Sequence, residues 1–307
     1  MKRLTALFMA VLMMFVFSSS AFAADSEKPF ENSGFYEVGD YTIHYRTYLP
    51  EGTAKNQILL IHGFCLSTAS LEGVAEEYEN AGYKVVTVDV PNFGYSSRET
   101  SKTAELSREE IIYSLTEYLG GTWIVGGHSM GGGIALNLAA DYPGTYTGLV
   151  LYAPQTSSEV ATMMKPIIGG KLMQSVYNII LRLALMFPST VRSLVEMSFS
   201  DKDYAARYDL SRISDPLRIK GTGAGITIMT SHAKGPDFDK ISQLSIPAVV
   251  ITAKEDKVAS AENLDAIITA LGENVVTYEC EKGGHMMMEY DPVIVAEKTL
   301  PVIEQCK

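Results

Sequence analysis

Five short, almost wholly apolar runs constrain this chain most: residues 58–61, 85–88, 123–125, 149–152 and 248–252. Helical patterns alternate with them, at 71–80, 107–119, 131–142 and 260–271. Strands with no polar face are buried on both sides, which is the signature of a parallel sheet covered by helices on both faces. A sixth strand at 275–278 and a last helix at 292–305 complete the series. Ser107 with Glu110 forms a capping-box signature at the start of its helix. Ahead of the series, residues 35–38 and 41–48 alternate around Gly39-Asp40 and read as a β-hairpin.

The alternation stops at Pro154 and resumes at Ala248. With 307 residues the chain could hold one large domain or two small ones. The rhythm on either side of the gap implies one core, 24–154 with 247–307, and a helical insertion at 155–246. An insertion after a strand end lies over the carboxyl edge of the sheet, where open α/β sheets bind ligands, so it is expected to form a lid. Its longest helical pattern, 171–187, is apolar except for a narrow stripe of Gln174, Asn178 and Arg182, with Ser175 beside it. That leaves more apolar surface than one packed face can bury. Ile179 and Leu183 are the expected substrate-facing residues. Gly221-Thr222-Gly223-Ala224-Gly225 imitates a dinucleotide loop, but no strand precedes it in a βαβ unit, and it reads as a loop of the lid.

Residues 1–23 read as a signal peptide. Lys2 and Arg3 precede an apolar stretch too short to span a bilayer, and Ala21-Phe22-Ala23 forms a small-x-small cleavage site. Export is therefore expected, to the periplasm or the exterior, with no stable membrane span after cleavage. Removal of this segment takes two positive charges with it and moves the formal net charge from −11 to −13. So acidic a protein is repelled by phosphates, which argues against nucleic acid as a partner. Cys65, Cys280 and Cys306 allow at most one disulfide and show no metal-ligand spacing; they read as buried small apolar residues. No metal or other cofactor is expected.

Gly127-His128-Ser129-Met130-Gly131 matches G-x-S-x-G between an apolar strand and a small-residue helix. The turn is so tight that side chains at both glycine positions would clash, and it exposes the serine hydroxyl at a helix N-terminus. Ser129 is thus the expected nucleophile, and it needs a base to take its proton. Of five histidines, His44 reads as a surface strand residue, His62 as structural, His128 as a neighbour turned away from the hydroxyl, and His232 as solvated. His285 follows the last strand in a Gly-Gly-His loop at the carboxyl edge and is the expected base. Asp256, just beyond the 248–252 run, is the expected carboxylate behind it, with Glu255 as competitor. Two backbone N–H groups must receive the oxyanion, and those of Met130 and Phe64 are the candidates.

From about residue 35 to 305 the chain resembles the α/β-hydrolase superfamily, and within it the lidded monoacylglycerol lipase and lysophospholipase-like branch. The likeness rests on His62-Gly63, the 89–96 segment, residues 127–131, Asp256, His285 with Glu289-Tyr290-Asp291-Pro292, and Ser214-Asp215-Pro216-Leu217. Asn92 and Ala253 depart from it by standing where glycine is usual; asparagine tolerates the left-handed backbone such a turn needs. The resemblance implies an α/β-hydrolase fold with a helical lid before the last two strands. It implies a cofactor-free serine hydrolase acting on a small-molecule ester with an acyl or other apolar group. The same machinery could act on an amide or peptide, a thioester or a carbon–carbon bond. A non-catalytic binding protein on this scaffold usually lacks a triad member, and none is missing here. Dehalogenase and epoxide hydrolase chemistry is disfavoured because Ser129 stands where those relatives carry aspartate.

Overall fold

β1 (Ser33–Val38) and β2 (Tyr41–Tyr48) form the expected hairpin, with Phe35 opposite His44 and Val38 opposite Tyr41. The computed structural model describes residues 28–99, 106–156 and 170–306; the proposed signal segment lies outside them, as does the side chain of His232. β3 (Gln57–Ile61), β4 (Lys84–Val88), β5 (Trp123–His128), β6 (Tyr146–Tyr152), β7 (Ala248–Ala253) and β8 (Val275–Cys280) complete an eight-stranded sheet. Its order is β1-β2-β4-β3-β5-β6-β7-β8. Only the β1–β2 and β2–β4 pairings are antiparallel, and the other five are parallel. The unit Asn32–Lys307 includes the sheet, its flanking helices and the insertion.

The apolar runs are explained by what each face meets. Along β3, Ile58 and Leu60 join one core with Leu71, Tyr78 and Val295, while Leu59 and Ile61 join another with Ile111, Leu115 and Ile134. Neither face can carry a polar side chain without burying it unpaired. α1 (Glu72–Asn80), α2 (Arg108–Leu119) and α3 (Met130–Asp141) fill the first crossovers. α2 opens with the expected capping box: Ser107 Oγ accepts from the Glu110 N–H at 3.1 Å, and the Glu110 carboxylate accepts from the Ser107 N–H at 2.7 Å.

Between β6 and β7 the described chain forms only helices: α4 (Lys171–Leu185), α5 (Pro188–Ser198), α6 (Lys202–Arg207), α7 (Ser211–Arg218), α8 (Thr222–His232) and α9 (Phe238–Ile241). The apolar pattern at 171–187 is shorter as a helix than the sequence suggests. α4 ends at Leu185, and Pro188 starts α5 at a 90° bend, because proline is suited to a first helical turn and not to continuing one. No single helix among the described residues is long and apolar enough to cross a membrane. The polar stripe of α4 has a partner: Asn178 Oδ1 accepts from the Ala224 N–H at 3.0 Å, near the start of α8. The glycines there serve close approach, since a Cβ on Gly223 would fall 2.7 Å from the Asn178 backbone.

Two arginines tie the insertion to the sheet layer. Arg98 donates to Thr222 Oγ1 at 2.8 Å and to the Pro216 carbonyl at 3.0 Å. Arg212 pairs with Glu72 at 3.1 Å and Glu289 at 3.2 Å. α10 (Ala261–Leu271), α11 (Met287–Tyr290) and α12 (Pro292–Ile303) accompany the last two strands. All three cysteines are free thiols; Cys280 and Cys306 are buried, and burial pushes both thiols up to about 11.

Candidate active site

The turn from β5 to α3 is built as the motif requires. An added Cβ on Gly127 would lie 2.4 Å from the Gly131 carbonyl carbon, and one on Gly131 would lie 2.2 Å from the Ile61 oxygen. Neither position has room for any other residue. Ser129 between them sits at φ 52° and ψ −117°, a sparsely populated conformation that costs on the order of 1–3 kcal/mol. Its N–H donates to the Tyr152 carbonyl at 2.9 Å, which fixes the turn to the neighbouring strand. Met130 is the first residue of α3, so its N–H is one of the donors a helix leaves without an internal partner. Phe64 stands in the loop after β3, and both residues line a cavity that Ser129 also lines.

His285 and Asp256 arrive from the ends of β8 and β7. His285 Nδ1 lies 2.8 Å from Asp256 Oδ2, while Asp256 Oδ1 accepts from the Val258 and Ala259 N–H groups at 2.8 and 2.9 Å. Burial opposes the charge on Asp256, but the bond to His285, its charge and the two backbone donors outweigh it and hold the carboxyl below its ordinary range. A carboxylate can only accept, so Nδ1 carries the proton and Nε2 is left as the basic nitrogen. Glu255 is exposed and takes no part in this pairing. His128 does more than the sequence suggested. Its Nε2 donates to the His285 carbonyl at 2.8 Å, and the two rings stand 4.7 Å apart. Burial first, then the nearby His285, holds His128 well below the usual histidine range, so it acts as a neutral donor that fixes the His285 loop.

Away from Ser129, the fold contains a hydrogen-bonded Ser-His-Asp chain. Ser33 Oγ lies 2.7 Å from His44 Nε2, and His44 Nδ1 lies 2.7 Å from Asp89 Oδ2. All three residues are buried, which corrects the reading of His44 as a surface residue. The reason is tertiary: the segment after β4 folds over β2, where the His44 N–H donates to Ser96 Oγ at 2.9 Å and its carbonyl accepts from the Asp89 N–H. Asp89 also accepts from the Thr68 and Tyr95 N–H groups at 2.7 and 2.8 Å. His62 accepts from the Val90 N–H at 3.0 Å and is structural, as expected. Asn92 adopts φ 77° in the same segment, the left-handed backbone anticipated for it. This cluster braces a loop; it borders none of the described cavities.

Ser129, by contrast, borders two. One cavity, of about 290 Å³, is lined by Ser129, His285, Leu181, Leu185, Val191 and Leu194 among other mainly apolar side chains. The other, of about 320 Å³, is lined by Ser129, Met130, Arg108, Glu109, Asn137 and Gln155 among others. Ile179 and Leu183 line neither. They are 59% and 53% exposed on the outer side of α4, because the face that turns inward carries Leu181, Ala184 and Leu185 instead. Among the described residues no group of three or more His, Cys, Asp or Glu side chains is arranged to hold a metal ion.

A monoacylglycerol lipase of Mycolicibacterium smegmatis is 30% identical over 130 residues, 40% of this chain and 46% of the lipase, so the match spans less than half of that relative. A 2-hydroxy-6-oxononadienedioate/2-hydroxy-6-oxononatrienedioate hydrolase of Burkholderia vietnamiensis is 23% identical over 70% of this chain and 75% of its own. The crystal structure of the enol-lactonase from Burkholderia xenovorans LB400 superposes with a TM-score of 0.70 at 14% identity, covering 88% of this chain and all of the lactonase, which is a likeness of fold. Residues 52–292 match the family described as serine aminopeptidase, S33. That match spans most of the chain, which therefore belongs to this family of α/β-hydrolases.

Proposed function

We propose that this hydrolase is an exported serine carboxylic ester hydrolase, taking esters with an acyl chain and working through an acyl-enzyme. The observation that carries the reading is the His285–Asp256 pair, with His285 and Ser129 on the wall of one apolar cavity. In this scheme Nε2 of His285 takes the Ser129 proton as Oγ attacks the ester carbonyl. The Phe64 and Met130 N–H groups receive the oxyanion, and His285 returns the proton to the departing alcohol. Water activated by the same histidine then frees the acid. The insertion acts as a lid whose inner face receives the acyl chain. The similarity to a monoacylglycerol lipase supports an acyl ester as substrate. An amide, a thioester or a carbon–carbon bond is the second reading on the same residues.

The test is turnover of p-nitrophenyl esters beside the matching amides and thioesters. Ser129→Ala is expected to fold and to lose turnover by several orders of magnitude. A fluorophosphonate probe is expected to label Ser129, and Ser33→Ala to keep both labelling and turnover. Labelling at Ser33, or near-normal turnover by Ser129→Ala, would sink the mechanism.

A further inference from the structure

The cavity lined by Met130 and Arg108 shares only Ser129 and Phe64 with the apolar one. Its walls differ in kind. Arg108, the first residue of α2, is 8% exposed and faces this cavity. Its guanidinium makes no hydrogen bond or ion pair with any described residue; Glu109 and Glu99 act on it only through space. Glu109 is itself buried, with one oxygen accepting from Asn137 Nδ2 at 3.0 Å. The Gln155 side-chain amide nitrogen is buried and has no partner among the described residues. Lys234 adds a second cation to the lining and pairs with Asp141, which is not in the lining. Lys234 is thus already neutralised, and Arg108 is the lining cation left without a contacting carboxylate among the described residues.

Burial of Arg108 carries a penalty that the through-space action of Glu109 and Glu99 offsets only in part, because no acceptor among the described residues contacts the guanidinium directly. An anion placed in the cavity removes that penalty. The planar fork of arginine fits a carboxylate or a phosphate with paired hydrogen bonds, and the free Gln155 amide offers one more donor. We infer that this cavity is a subsite for an anionic group, a carboxylate or a phosphate, carried by the substrate across the scissile bond from its apolar group. The inference rests on the ester reading above: with the acyl chain in the apolar cavity, the charge belongs to the leaving alcohol. Arg108 and Gln155 then set specificity, and the substrates are acyl esters of anionic alcohols in preference to neutral or cationic ones.

Four esters of one acyl chain test this: 1-octanoylglycerol, 1-octanoylglycerol 3-phosphate, the octanoyl ester of glycolic acid, and octanoylcholine. One of the two anionic esters is expected to exceed 1-octanoylglycerol in kcat/KM by roughly 10- to 100-fold, as a charged hydrogen bond would give. Which of them wins identifies the anion. Arg108→Gln is expected to collapse that ratio towards one, mainly through KM, with Arg108→Lys keeping part of it and Gln155→Leu losing part of it. A preference for octanoylcholine, no preference, or an equal fall on all four esters in Arg108→Gln would overturn the subsite. Thermal unfolding separates this outcome from failure of the ester reading. Inorganic phosphate or acetate is expected to raise the Tm of Ser129→Ala and not that of Ser129→Ala with Arg108→Gln. A rise without any ester turnover would keep the subsite and remove the ester chemistry. Arg108→Gln alone is expected not to lower the Tm of the ligand-free protein, and a fall would make Arg108 structural.

Discussion

Asp256 and Asp89 are both held below the ordinary carboxylate range against the opposition of burial, yet they serve different ends. Asp256 orients His285, so Asp256→Asn is expected to cut ester turnover by roughly 10³–10⁴-fold, while Glu255→Gln, on an exposed side chain, costs little. Comparing the two variants on one p-nitrophenyl ester decides the assignment. Asp89 supports only the fold. Asp89→Asn leaves His44 and two backbone donors poorly matched in a dry site and is expected to cost about 3–5 kcal/mol of stability. Because its folded pKa is depressed, the stability Asp89 contributes is present above the ordinary carboxylate value and is lost as pH falls through the depressed one. Denaturant melts of the two proteins are therefore expected to differ most near neutrality and to converge in acid. The elbow was legible in sequence because its glycines answer a local steric demand. His44 was misread because its cover comes from a segment distant in the chain, and nothing within β2 itself signals that.

α4 marks the limit of what periodicity reveals about an element. The pattern at 171–187 correctly implied a helix with a single polar stripe and apolar surface to spare. It did not say which apolar flank turns inward, since both are equally apolar and the choice depends on where α8 receives Asn178. The structure puts Leu181, Ala184 and Leu185 at the cavity and leaves Ile179 and Leu183 outside. Leu194 of α5 gives a matched test, because it lines the cavity yet is 48% exposed, close to the exposure of Leu183. Leu194→Glu is expected to raise KM for long-chain esters by up to ~0.8 kcal/mol for each methylene deprived of apolar surroundings, with acetate esters little affected. Leu183→Glu is expected to leave the chain-length profile intact. Equal profiles for the two variants would detach the acyl chain from this cavity.

At the scale of the molecule, the parallel centre of the sheet was readable because strands buried on both faces betray themselves as continuous apolar runs. The antiparallel pairing of β2 with β4 was not, since it depends on which edge the hairpin meets. Export belongs to this scale as well. Protein recovered from an exporting host is expected to begin at Ala24, which N-terminal sequencing settles; recovery of the intact chain from membranes would favour an anchor instead. Chain order has a further consequence. Six of the eight strands and Ser129 precede the insertion, whereas β7 with Asp256 and β8 with His285 follow it. In the proposed scheme the elbow therefore belongs to the part of the chain ahead of the insertion, and its base and acid to the part behind it. Under the proposed mechanism, a chain that carries the elbow stays chemically silent until β7 and β8 have joined the sheet and brought Asp256 and His285 with them.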